Sequence, residues 1–206
     1  MSFWQWYVLG FAVAFVVGPL ALRTFLIWRA TGRNPLNLES AESAYGFVQL
    51  LVKLIFVGYG VVVGLFVAAP SLYAQLPAFG GLQTEAVRWT GVALTLLGLV
   101  VTWIAQGQMG KSWRFGPDRD APPPLVTSGI FGVTRNPIYL SMMLASTGMF
   151  LLLPDAVSLA LWVLTLASLG VLVRLEEDFL KGVHGEPYVA YLQRVGRFIP
   201  GVGRAQ

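Results

Sequence analysis

Three adjacent acids, Glu176, Glu177 and Asp178, stand directly after a long uncharged run, in a chain of 206 residues with only ten acids. They form a negative patch in a basic neighbourhood, at what reads as a membrane edge. Such a patch attracts a cation or accepts hydrogen bonds from a ribose or an amine. The alternative is that the acids pair with Arg174 and Lys181 at helical spacing and solvate a helix end. Upstream, MGKSWRFGPDRDAPPPLVTSGIFGVTRNPIYL (109–140) is a Gly- and Pro-rich segment that leads into an apolar helix. Gly129 and Gly132 permit close backbone approach or positive φ. Pro137 suits the first turn of a helix, and the N–H groups of that turn can receive an anionic group. Arg135 either grips a ligand carboxylate or anchors its helix at the headgroups. Arg174 either orients a substrate or caps the C-terminal end of its helix. Lys53 either snorkels to the interface or touches a ligand. His184 reads as an exposed turn residue. With no cysteine and one histidine, disulfides, thiolate catalysis and cysteine metal sites are excluded, and no metal is expected.

The elements that must position these groups follow from composition. Hydrophobic residues make up 56% of the chain and charged residues 12%, about half the charge of an ordinary soluble domain. A disordered chain and a soluble enzyme with a polar shell are both excluded, and a net charge of +4 is too small to suggest nucleic acid. Five uncharged runs mark membrane helices of roughly 20 residues: 3–22, 54–84, 89–110, 136–154 and 156–173; the second is broken by Pro70, Pro77 and Gly80-Gly81, which places its helix at roughly 45–68. The first has no basic leader and no small-residue cleavage site, and reads as a retained helix. Only Pro154-Asp155 separates the last two, which predicts a tight hairpin. With alternating spans, only Arg88 of the 14 basic residues falls on one side. The other side is then the cytosol, and the N-terminus lies outside. Trp4, Trp6, Tyr7, Tyr73 and Trp89 gather near the outer face as an aromatic belt. Met142, Met143 and Met149 are expected in the hairpin core. Tyr188, Tyr191 and Phe198 are expected to fold the tail back over the loop. The expected organisation is one domain, with helices 1–3 in 1–107 and the loop, hairpin and tail in 108–206.

The pair LVTSGIF…TRNPIYL, followed by EE…HGEPY…RFIP, resembles the isoprenylcysteine carboxyl methyltransferase family, part of a wider group of integral-membrane methyltransferases that includes phospholipid methyltransferases. The resemblance covers roughly 108–200. It implies an all-α integral membrane protein of about five transmembrane helices, with a cytosolic cofactor pocket formed by the 3–4 loop and the C-terminal tail. It implies S-adenosylmethionine as cofactor, held by Pro124, Leu125, Val126, Phe131, Asn136, Pro137, Ile138, Tyr139 and Glu176, with Arg135 as a further candidate. Trp113 and Phe115 could add aromatic faces, and Asp118 or Asp120 a hydrogen bond. Arg174 and Glu177 are the candidate catalytic residues, Glu177 or Glu176 accepting a proton if the nucleophile is an amine or thiol. Three positions depart from the family. Asn136 stands where His is frequent and cannot titrate. Phe131 stands where Tyr is common. Leu172 stands where some members carry an Arg, which weighs against a carboxylate-bearing substrate. The implied acceptor is a lipid-like or apolar small molecule, in a bacterial or archaeal inner membrane. Two other readings stay open: an NADPH-dependent membrane reductase, whose 2′-phosphate would need Lys111, Arg114 and Arg119, and a non-catalytic membrane scaffold.

Overall fold

Ser2 opens the first helix with a capping box: its side chain accepts from the Gln5 N–H, and the Gln5 side chain accepts from the Ser2 N–H. A computed structural model describes residues 1–36, 39–114, 116, 122 and 124–203, and among these the fold is helical with no strand. Phe115, Asp118, Arg119, Asp120 and Arg204 lie outside the described residues. The elements that matter are α1 (Phe3–Phe15), α2 (Arg23–Thr31), α3 (Ala44–Ala68), α4 (Pro70–Tyr73), α5 (Glu85–Met109), α6 (Pro137–Leu152), α7 (Ala156–His184) and α8 (Glu186–Arg194).

Four helices are long and apolar enough to cross a membrane: Phe3–Thr31, Ala44–Ala68, Glu85–Ser112 and Ala156–His184. The fifth, α6, has 16 residues, or about 24 Å at 1.5 Å per residue, short of a hydrocarbon core of about 30 Å. The five-helix expectation therefore becomes four long helices and one shorter one. Pro137 fixes the start of α6, and the turn before Asp155 fixes its end.

Two boundaries differ from the sequence reading. The first helix does not stop at residue 22. It passes through a π-helical segment, Val16–Leu22, around Pro19 and continues as α2. Proline lacks an N–H and crowds the carbonyl four residues back, and a wider turn relieves both problems. The Gln106 side-chain amide donates to the Pro19 carbonyl at 2.9 Å. Arg23, the first charge after the uncharged run, donates to the carbonyls of Gln106 and Gly110 at 2.6 and 2.7 Å, closing the end of α5. The last long helix also runs on from 173 to His184. The three acids are therefore on α7 rather than beyond it, and Arg174 is well inside the helix, which removes the capping alternative for it.

Helix α6 packs closest to α5. Small residues let the backbones approach, as in membrane interfaces generally. A Cβ added at Gly148 would lie 2.6 Å from the Gly91 carbonyl oxygen, and one at Gly98 would lie 2.7 Å from that of Ser141. Thr102 and Ser141 share a hydrogen bond across the interface at 2.7 Å. Gly148→Val should destabilise the protein by about 1–3 kcal/mol through overpacking, visible as a lower melting temperature in detergent. An unchanged melting temperature would mean that the two helices can part at no cost.

The hairpin of α6 and α7 is closed by Asp155, which is 1% exposed. Its carboxylate caps α7 through the Val157 and Ser158 N–H groups and accepts the Tyr73 hydroxyl at 2.9 Å. Trp162 stacks on Phe150 and donates to Thr147. Phe3, Trp4 and Trp89 cluster at the same end of the bundle, with Arg88 over the Trp4 ring. Met149 is buried in the core between α1, α3, α5 and the hairpin, whereas Met142 and Met143 are only partly buried, beside Tyr45.

Candidate active site

A helix turns about 100° per residue, so three successive side chains leave in three directions. Along α7 this gives the three acids different roles. Asp178 is exposed and pairs with Lys181 at 3.0 Å, the outcome expected of a solvated helix face. Glu177 is 3% exposed and points into the tail. Glu176 faces a cavity and accepts a hydrogen bond from the Tyr139 hydroxyl. Tyr139 comes from the first turn of α6 and packs with Tyr45 of α3.

Glu177 is the centre of a clasp. It accepts from Arg135 at 3.0 and 3.2 Å, from the Asn136 amide at 3.2 Å and from Arg197 at 2.7 Å. Arg135 has five N–H groups, and each one is used. Two reach Glu177, and the others reach the carbonyls of Leu192, Val195 and Gly203. Neither sequence reading of Arg135 describes this arrangement: no N–H remains for a ligand carboxylate, and at 6% exposure the side chain is far from a headgroup anchor. The strand-like run 134–136 is fixed to the tail by the Arg135 N–H bond to the Gly196 carbonyl and by Thr134 and Asn136 donating to the Arg197 carbonyl. Gly196 is required here, because a Cβ would fall 2.0 Å from the Ile199 carbonyl oxygen.

Helix α8 then covers the loop. Tyr188, Tyr191, Leu192 and Val195 form a buried cluster with Leu125 and Leu180 against it. The Tyr191 hydroxyl donates to the Phe131 carbonyl at 2.6 Å. Burial pushes that phenol up to about 12, so it remains a donor at ordinary pH. The expected folding-back of the tail is thus present, with Phe198 half-buried.

Between the tail, the loop and the helices lies a cavity of about 570 Å³, within the usual range of about 300–1,000 Å³ for small-molecule sites. All ten residues expected to contact a cofactor line it: Pro124, Leu125, Val126, Phe131, Arg135, Asn136, Pro137, Ile138, Tyr139 and Glu176. The two expected catalytic residues do not. Glu177 is sealed in the clasp, and Arg174 is exposed, donating to the Gly170 carbonyl of its own helix. The wall also holds residues the sequence reading gave little or no weight. His184 lines the cavity rather than an exposed turn, because α7 continues to it. Trp113 is 4% exposed and lines it from the end of α5. Thr102 and Gln106 line its depth, and a glutamine within an apolar span was the available signal. Helix α6 begins at the cavity without a side-chain cap.

The phospholipid methyltransferase family matches residues 86–187. Protein-S-isoprenylcysteine O-methyltransferase B of Arabidopsis thaliana is 24% identical over 164 residues, spanning 78% of this chain and 83% of the plant protein. The solved structure of a eukaryotic intramembrane Ras methyltransferase, isoprenylcysteine carboxyl methyltransferase, has the same fold. The TM-score is 0.57 at 18% identity, over 98% of this chain and 70% of that one.

Proposed function

We propose that this chain, an integral-membrane methyltransferase of the isoprenylcysteine carboxyl methyltransferase-like family, transfers a methyl group from S-adenosylmethionine to a lipophilic acceptor at the cytosolic membrane face. The observation that carries the reading is the convergence of the loop residues, Tyr139 and Glu176 on one cavity. The relatives favour it over the reductase and scaffold readings.

The wall suits this cofactor. A sulfonium is a cation, and aromatic faces and a carboxylate attract it; Trp113, Phe131, Tyr139 and Glu176 offer both. The uncapped N-terminus of α6 suits the cofactor's own carboxylate. When bound, the cofactor supplies an electrophilic methyl group. The protein's part is alignment and exclusion of water. Glu176, held by Tyr139, orients the donor end. The loop and α8 close the cavity against the aqueous side. A carboxylate nucleophile needs no base. An amine or thiol would give its proton to Glu176, the acid that opens on the cavity, and not to Glu177. Arg174 takes no part, since it lies outside the cavity. The concentration of basic residues at the loop-and-tail end supports a cytosolic site with the N-terminus outside.

The acceptor reaches this site from the side. A second, apolar cavity of about 160 Å³ shares Phe15, Val16, Val52, Phe56 and Met142 with the first. It offers an arm for a hydrocarbon chain entering from the bilayer.

Calorimetric titration of the detergent-purified protein with S-adenosylhomocysteine tests the reading, with NADPH as comparator. Saturable, stoichiometric binding of the first is expected. Binding of NADPH in its place, or of neither by folded protein, would overturn it.

A further inference from the structure

Lys53 is the one charged residue of α3, about two and a half turns from the helix start. A charge within an apolar span is costly unless it is paired or meets a water-filled cavity or a ligand. Among the described residues Lys53 has no ion-pair partner, while Arg88, Arg135, Lys181 and Arg197 each have one. It lines the large cavity beside Val52 and Phe56, two of the residues that this cavity shares with the apolar arm. Leu20, Phe56 and Val57 also line the cavity, and all three are exposed, as is Lys53 itself, so the part of the wall formed by the π-helical segment and α3 is open to the surroundings.

We propose that Lys53 is a specificity-determining residue that recognises an anionic head group, a carboxylate or a phosphate, on the lipid-like acceptor. This rests on the methyltransferase reading and names the acceptor's chemistry. The cavity carries both signs of charge. Glu176 and the aromatic rings favour the cationic donor, and Lys53 favours an anion. An amphiphile would lay its hydrocarbon chain in the apolar arm and supply a counter-ion that none of the described residues provides. The flexible stem of Lys53 packs along apolar surface while its ammonium reaches the head group.

The test uses the full chain in a neutral detergent. Dodecanoate and dodecyl phosphate are titrated against dodecanol as the uncharged control. One or both anions should bind about tenfold more tightly than dodecanol, as expected of a charge-assisted contact; which anion wins identifies the head group. Lys53→Gln should abolish the preference and Lys53→Arg should keep it, with S-adenosylhomocysteine affinity unchanged in both. If Lys53→Gln keeps the preference, the lysine only snorkels and the proposal fails. If S-adenosylhomocysteine affinity falls together with the preference, Lys53 serves the cofactor and the proposal also fails. A wild-type protein that shows the Lys53-dependent preference yet binds no S-adenosylhomocysteine would uphold the anion site and refute the methyltransferase reading.

Discussion

Arg135→Ala should destabilise the protein by about 3–5 kcal/mol, the usual cost of removing one partner from a buried ion pair. Glu177 would retain Arg197, but Arg135 also holds the carbonyls of Leu192, Val195 and Gly203. All three would be left without this donor, in a region where Arg135 is 6% and Glu177 3% exposed. The tail should come loose before the membrane helices do. Limited trypsin digestion should then cut at Arg194 and Arg197, at enzyme levels that leave the wild type intact. Arg135→Lys should rescue little, because a point charge cannot reproduce a fork whose five N–H groups reach four acceptor oxygens in different directions. Glu177→Ala should give a similar loss, and the double variant much less than the sum, since both changes break one network. Wild-type melting and protease resistance in Arg135→Ala would show that the clasp does not hold the tail.

The membrane helices were legible because lipid imposes one simple rule, long runs without charge. The same rule misplaced two ends. A run of uncharged residues ends at Arg23 and at Arg174, but the helices do not. Arg23 finds carbonyls at the end of α5, and α7 leaves the apolar region while continuing as the wall of a cavity. The loop residues were legible through their resemblance to a family, and the fold does bring them to one surface. The roles of Arg135 and Glu177 were not legible. An arginine that grips a ligand and one that grips the chain have the same neighbours in sequence; only the count of donors against acceptors separates them. His184 was misread for the same reason as Arg174, because both depend on how far α7 extends. Pro19 was not read as a π-helical turn; the segment is held in part by Gln106, a residue far away in sequence, which donates to the Pro19 carbonyl.

Adjacent acids with unlike fates allow a sharper test of the site than either gives alone. Among the described residues Glu176 makes no hydrogen bond to the tail: its hydrogen-bond partner is the Tyr139 hydroxyl, and its remaining lone pairs face the cavity. Glu176→Ala should therefore leave melting close to wild type. It should weaken S-adenosylhomocysteine binding by about ten- to a hundredfold, the range for losing a hydrogen bond to a charged group. Tyr139→Phe should give a smaller loss, because it frees the carboxylate without removing it. Glu177→Ala should do the opposite, lowering the melting temperature sharply while the residual folded protein still binds ligand. The comparison separates a ligand-contacting acid from a structural one by two independent readouts, calorimetry and thermal melting. Should Glu176→Ala bind S-adenosylhomocysteine as tightly as the wild type, the donor would not sit at the Tyr139–Glu176 wall, and its place would have to be sought nearer Trp113 and His184.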